Sequence, residues 1–220
     1  IVQMVDRDEV SLLLLYDDAQ SIYTRRSGMN FSLFSVGVQA RGRTTILKLN
    51  YRNTNEILEF ALAFARHYLA PSDSDEDNIP LVEPTAAGRH GPSPHLRICA
   101  SPEEELRYLV ATLTRLRERR LQWRDVCVTC HAKWLAERVA EYLASCDIPV
   151  TRLVEASEKR AFDPLADTVK VMTMHSSKGL EFPMVIIPGV EALPRAQGDA
   201  AADAKLLYVA MTRSTDKLLV

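Results

Sequence analysis

The sequence contains no Gly-Lys-Ser or Gly-Lys-Thr triplet anywhere in its 220 residues. It therefore has no phosphate-cradling P-loop of its own. Cysteine is scarce. Four cysteines in a chain of this size do not make a disulfide framework, so a reducing, cytoplasmic setting is expected. Long apolar runs are missing too, and the run Leu12 to Leu15 reads as a buried strand, so no membrane partner is expected. The first residues lack a basic stretch followed by an apolar one, so no export leader is expected. Neither sign of charge dominates, with 27 Lys and Arg against 29 Asp and Glu, so any nucleic-acid contact has to come from a local patch. Cys127-Val-Thr-Cys130-His131 has the C-x-x-C-H spacing of covalent haem, but that attachment needs export. Zinc would need a second ligand pair, and none has suitable spacing. Neither haem nor zinc is expected, and the two cysteines read as core residues of an apolar strand.

Hydrophobic residues at 47% and charged residues at 25% suit an ordinary globular protein with one full core and a smaller appendage. Everything is arranged around Val169 to Phe182. An alternating apolar strand breaks at His175-Ser176-Ser177-Lys178-Gly179, and an apolar run resumes at Met184 to Pro188. A strand that empties into a Ser/Lys/Gly loop is where an α/β sheet places a ligand. Gly179 permits close backbone approach or a positive φ, and Lys178 and the hydroxyls can donate to an anion. A plain tight turn between two strands explains the same residues. Met172 and Met174 need only core packing, and Trp123 and Trp134 are expected in the core or between helices.

Ser11 to Tyr16 reads as a buried strand closing in Asp17-Asp18-Ala19-Gln20, and polar residues there suit ligand sensing. Arg25, Arg26, Arg41 and Arg43, with Tyr23 and Phe31 interleaved, form the basic neighbourhood of the chain. It fits either a surface where bases stack and phosphates pair or a solvated basic loop. Thr44 to Leu49 is strand-like, and Asn53 or Thr54 caps the helix that follows. Residues 71–94, with Pro, Gly and the acidic run Asp73 to Asp77, read as a mobile loop. A regular alternation then begins. His95 to Ala100 is a predicted strand, and a helix opens at Ser101 with Pro102 in its first turn and ends near Arg119-Arg120. Asp125 to Cys130 is a strand, Lys133 to Ala144 a helix and Pro149 to Val154 a strand. Asp203 to Met211 is helical and Lys217 to Val220 begins a last strand. Such β-α-β units specify a parallel sheet with helices on both faces.

Four segments carry a resemblance. Asp17-Asp-Ala-Gln20-Ser-Ile-Tyr23, Asn50-Tyr51-Arg52, Thr173-Met-His175-Ser-Ser-Lys178-Gly-Leu-Glu181-Phe182 and Tyr208-Val-Ala-Met-Thr212-Arg213 occur in this order. They resemble motifs three, four, five and six of the UvrD/Rep-like superfamily 1 DNA helicases, in which two RecA-like domains sandwich ATP while single-stranded DNA crosses their tops. The resemblance implies a RecA-like α/β fold for residues 44–220 and an edge of the first RecA-like domain, with linker, in residues 1–43. Gln20 would sense the γ-phosphate and report it to Tyr23, which stacks on a base. Tyr51 would stack on adenine and Arg52 would touch the γ-phosphate. Thr173 and His175 would lie on the DNA side, and Gly179 and Glu181 on the nucleotide side, with Glu181 at the ribose. Arg213 would be the second arginine finger. The cofactor implied is ATP with Mg²⁺, whose metal ligands belong to an N-terminal RecA-like domain. That domain and single-stranded DNA are the implied partners, and 3′ to 5′ movement is implied.

The sequence also departs from the pattern. The Gly usual before the motif-three acid is Tyr16, and the second DNA-stacking aromatic is Arg25, which can still stack on a base. The acid pair and Arg usual before motif six are reduced to Asp203 and Lys205. Large relatives carry an accessory domain after the strand ending near Val154, where this chain has only residues 155–168. Asp8-Glu9 is not read as a Mg²⁺ site, because no clear buried strand precedes it. The expectation is thus a C-terminal motor domain from a longer ATP-dependent helicase, inactive in hydrolysis alone. A degenerate binding or regulatory module is the alternative, and a nuclease-linked subunit is a second one, although no nuclease-like acid cluster is present.

Overall fold

A computed structural model of the protein describes residues 49–65, 85–160, 162–195 and 198–220. Gln20, Tyr23 and Arg25, and with them the motif-three segment, lie outside the described residues.

The apolar runs form the sheet. Strands β3 (Val126–Cys130), β4 (Val150–Leu153), β5 (Val169–Thr173), β6 (Phe182–Ile186) and β7 (Ser214–Leu219) line up in the order β4-β5-β3-β6-β7, all parallel. Every residue of β3 and β5 is buried, as strands covered on both faces must be. Alternation along the strands divides the core. Cys127, Met172, Val185 and Leu218 face helices α1 (Asn55–Ala65) and α5 (Ala200–Met211). Val128, Cys130, Val171 and Ile186 face α2 (Pro102–Glu118) and α3 (Lys133–Ser145). Helices therefore cover both faces, and a RecA-like parallel sheet is the architecture.

Local chemistry sets the element ends. The Ser101 side chain accepts from the Glu104 amide at 3.2 Å, and Pro102 with Glu103 to Glu105 fills the first turn of α2. A cap of this kind contributes about 1 kcal/mol. Thr54, not Asn53, caps α1, with its Oγ1 accepting from the Ile57 amide at 3.4 Å. A short helix α4 (Ala156–Arg160) follows β4. The turn before β5 is held by Lys170, whose side chain is fully buried. Its Nζ donates to the carbonyls of Ala166 (2.5 Å) and Thr168 (2.9 Å) and to Thr168 Oγ1 (3.2 Å). Burial lowers its pKa, and these oxygens satisfy the ammonium inside a sheet that offers it no other room.

Three expectations are corrected. His95 to Ala100 is not a strand; only His95 forms a bridge, to Leu219, while Leu96 and Ile98 face solvent. The segment follows the edge of β7 through Arg97 N–H to Val220 O (2.8 Å) and Val220 N–H to His95 O (2.9 Å). Trp134 is not a core residue but is 58% exposed on the first turn of α3, because Leu135, Ala136 and Val139 take the inward stripe. Residues 85–91 of the expected mobile loop are tied down. Thr85–Ala86 (β2) pairs in parallel with Leu49–Asn50 (β1), and residues 89–91 dock on α1 and β7. Residues 71–84 lie outside the described residues.

Cys127 and Cys130 fall on opposite faces of β3, so their thiols cannot meet at one ligand. Burial pushes both thiols well up, out of the thiolate range. Cys146, by contrast, is exposed. Titration with a thiol reagent should label Cys146 fast in the native protein, while Cys127 and Cys130 react only after unfolding. Rapid native labelling of either strand cysteine would contradict this packing.

Candidate functional site

The β5–β6 connection determines where the candidate residues go. Thr173 is in register with Cys130 at the carboxyl end of the sheet. Met184 is in register with Val126 at the amino end, and Phe182 starts β6 below it. Because β5 and β6 both run parallel to β3, residues 174–181 must travel the length of the sheet, and they do so on the α1/α5 face, where Met174 and Leu180 pack. The sequence-predicted residues are therefore separated into two groups at opposite ends.

At the carboxyl end, Thr173 is 8% exposed, and its hydroxyl lies 2.8 Å from Ser176 Oγ. Its carbonyl accepts from the amides of Ser176 (2.9 Å) and Ser177 (3.1 Å), and the Ser177 hydroxyl donates to Met174 O at 2.8 Å. The Thr and Ser residues thus wind the start of the crossing into a tight turn, with His175 partly exposed on it. Gly179 sits at φ +85° in open space, with no atom within 4 Å of where a Cβ would stand. Conformation, rather than close approach, requires this glycine.

At the amino end three predicted residues converge. Arg52 Nε lies 2.5 Å from Glu181 Oε1, joining the Asn50-Tyr51-Arg52 segment to the end of the crossing. The contact is charge to charge and off the N–H axis, so the buried Nε has no aligned hydrogen-bond acceptor among the described residues. Phe182 N–H donates to Arg213 O at 3.0 Å, which brings the Tyr208 to Arg213 segment to the same corner. Tyr51 is 71% exposed beside this corner. Arg213 itself is only 1% exposed. Its Nε donates to Val209 O at 3.0 Å and one terminal nitrogen lies 3.5 Å from Leu180 O. A guanidinium turned back onto the last carbonyls of α5 is favoured by the helix dipole. In this conformation Arg213 is a buried helix-end cation turned onto α5.

Two further features were not predicted from the sequence. Asn53 is fully buried and bonds to the backbone on either side of Arg213. Segment 89–91 braces Arg52 from outside. Arg89 donates to Arg52 O (2.8 Å) and pairs with Asp216, while Gly91 N–H donates to Glu56 Oε2 (2.9 Å). A Cβ on Gly91 would come within 2.7 Å of Thr54 Cγ2, so the docking needs a glycine. A glycine and a histidine inside a stretch of loop composition gave no signal of this. Asp203, at the expected acid position, is buried against Arg195, which donates from its backbone (2.8 Å) and side chain (2.9 Å). Burial alone would raise the Asp203 carboxyl, but these bonds hold it below its ordinary value.

Comparison with known proteins follows the same lines. The family described as the UvrD-like helicase C-terminal domain matches residues 45–158 and 151–220. The chain belongs to that family. The two stretches of this UvrD-like domain overlap where β4 gives way to α4, next to residues 155–168. DNA helicase II of Escherichia coli K12 is 42% identical over 72 residues, covering 30% of this chain and 10% of that protein. DNA helicase II of Haemophilus influenzae is 39% identical over 74 residues, with the same shares. The matched stretch is thus about a tenth of these relatives' length. Among solved structures, the C-terminal domain of a possible DNA helicase from Lactobacillus plantarum WCFS1 superposes with a TM-score of 0.53 at 20% identity. That likeness covers 77% of this chain and 85% of the other, and it supports the UvrD-like fold. Among the described residues no helix is long and apolar enough to cross a membrane.

The bracing of the UvrD-like corner is pH-dependent in a defined direction. The His90 side chain, with the amides of Glu56 itself and Gly91, holds the Glu56 carboxyl down at about 2 from an ordinary 4.5. A depressed carboxyl contributes stability that is complete above the unfolded value and lost as pH falls toward the folded one. The Gly91 amide resonance should therefore stay unchanged as pH falls through 4.5 and move only on approach to about 2. A Gly91 midpoint near 4.5 would show that Glu56 is not held there.

Proposed function

We propose that this domain is the second motor half of an ATP-dependent DNA helicase or translocase. In this reading it supplies two arginines to ATP held mainly by a preceding RecA-like domain. The observation that carries the proposal is the meeting of Arg52 with Glu181, beside the backbone of Arg213, at one end of the sheet. An arginine already paired with a carboxylate at this corner is a cation that an incoming phosphate could take over from Glu181.

Bound ATP with Mg²⁺ would supply a phosphoryl group for transfer to water, with the metal ligands in the other domain. This chain's residues bind and orient. Tyr51, largely exposed, would stack on the adenine ring, and Glu181 would accept from ribose hydroxyls once Arg52 turns to phosphate. Arg213 would leave Val209 O and place positive charge where negative charge develops. Both guanidiniums would engage only when the two domains close, so loss of the terminal phosphate lets the domains part. At the other end of the same crossing, His175 and the turn built on Thr173 would meet single-stranded DNA, as would Tyr23 and Arg25. Gln20 would link the two events. Steps of closure and release against a held strand give directional movement, here proposed as 3′ to 5′.

One observation favours the binding-module alternative, namely the inward conformation of Arg213. The deciding experiment measures ATP hydrolysis by the full-length protein with and without single-stranded DNA, comparing wild type with Arg213→Ala. The expected result is DNA-stimulated turnover that falls by about a thousandfold or more in the variant, the scale of an arginine finger, with nucleotide still bound. The 220-residue chain alone should show no turnover. Wild-type rates in Arg213→Ala, or hydrolysis by the isolated chain, would overturn the assignment.

A further inference from the structure

Asn53 makes bonds that the start of a helix does not need, since Thr54 already caps α1. The Asn53 side chain is fully buried. Its Nδ2 donates to Thr212 O at 3.0 Å and to Ser214 O at 2.6 Å, the carbonyls flanking Arg213. Its Oδ1 accepts from Asn50 Nδ2 at 2.8 Å. The Asn50 Oδ1 in turn accepts the amides of Arg52 (2.9 Å) and Asn53 (3.0 Å). A single pair of amides thus has the backbone of Arg52 at one end and the backbone around Arg213 at the other.

The chemistry selects the residue. Two carbonyls converge on the inner atom and require two donors, while the outer atom must accept. A primary amide offers both on one planar group; a carboxylate offers no donor and a hydroxyl only one. Because the whole group is buried, each bond is also enforced by the cost of leaving a carbonyl unpaired.

We propose that Asn53 is a positioning residue that fixes the backbone of Arg213 relative to that of Arg52, so that the two side chains reach a phosphate from mounts of preset spacing. The inference rests on the proposed roles of those two arginines. It adds that their spacing is set inside this domain by one amide, before any nucleotide arrives.

The test is Asn53→Asp in the full-length protein, alone and combined with Arg213→Ala, read by steady-state ATP hydrolysis on single-stranded DNA and by thermal melting. Aspartate keeps the shape and the acceptor for Asn50 but replaces both donors with a carboxylate facing two carbonyls. The expected result is a fall in kcat of about ten- to a hundredfold per folded molecule, with KM for ATP changing less than about threefold. Added to Arg213→Ala, the substitution should cost nothing further, because the group it positions is gone. Asn53→Ser, which keeps one donor, should lose less in the same direction, and it is the variant to read if Asn53→Asp does not fold. A lowered melting temperature with unchanged kcat per folded molecule would overturn the inference, as would losses that multiply with those of Arg213→Ala. If Arg213→Ala itself turns over at the wild-type rate, the arginine reading fails, and the positioning role falls with it.

Discussion

The chain must leave β5 at one end of the sheet and enter β6 at the other, and between those strands lies β3. Thr173 stands level with Cys130, and Phe182 stands below the level of Val126. At roughly 3.3 Å per residue the drop is on the order of 20 Å. Most parallel connections cover it with a helix and a dozen or more residues. Here residues 174–181 do it alone, by a turn wound on the Thr173 carbonyl, a left-handed glycine at 179 and a short extended exit. The crossing can lie against the sheet because Met174 and Leu180 are apolar and pack beneath α1 and α5. Its hydroxyls satisfy one another and the backbone, which is what a segment packed over a core demands.

This geometry leaves little freedom elsewhere. Both faces of the sheet are occupied, and the ammonium of Lys170 is satisfied in place by the turn at 166–168. The amino end of β6 and β7 collects Arg52, Glu181 and Arg213 because three chain segments end there. Two of those segments are fastened by Asn53, and the outer one is braced by residues 89–91. A displacement at Thr173 and one at Glu181 are joined by a single short stretch packed on a rigid core.

The sheet and its helices were legible because their signals are local. The valine-rich runs of β3 and β5, the Ser101-Pro102 helix start and the Gly179 conformation each follow from neighbouring residues. What was not legible depends on distant ones. Asn53 resembles any cap residue until Thr212 and Ser214 arrive from 159 and 161 positions away. His90 and Gly91 lie in a stretch of loop composition, and only contact with Glu56 and Thr54 orders them. His95 to Ala100 has strand composition, yet on the outside of β7 it finds only one neighbour, so Leu96 and Ile98 stay in solvent. Trp134 misled by residue type, although its place beside the inward stripe Leu135, Ala136 and Val139 was countable from the sequence.

The inward Arg213 and the proposed arginine finger are compatible on energetic grounds. Arg213 bonds to Val209 O, Leu180 O and Thr212 Oγ1, and each bond from a charged donor is worth about 1.5–3 kcal/mol. A guanidinium placed against a transferring phosphoryl group is worth a factor of about 10³–10⁵ in rate, or roughly 4–7 kcal/mol. The gain is comparable with the cost, so the exchange is favourable only where the phosphate is held opposite. In the proposed cycle, a resting position on the helix end would keep the charge satisfied and yield it only when the cleft closes. Asn53 fits this economy, because a side chain that must travel is best mounted on a backbone that does not. With the carbonyls of Thr212 and Ser214 pinned, the proposed motion would be confined to the Arg213 side chain, its reach set by the peptide on which it stands.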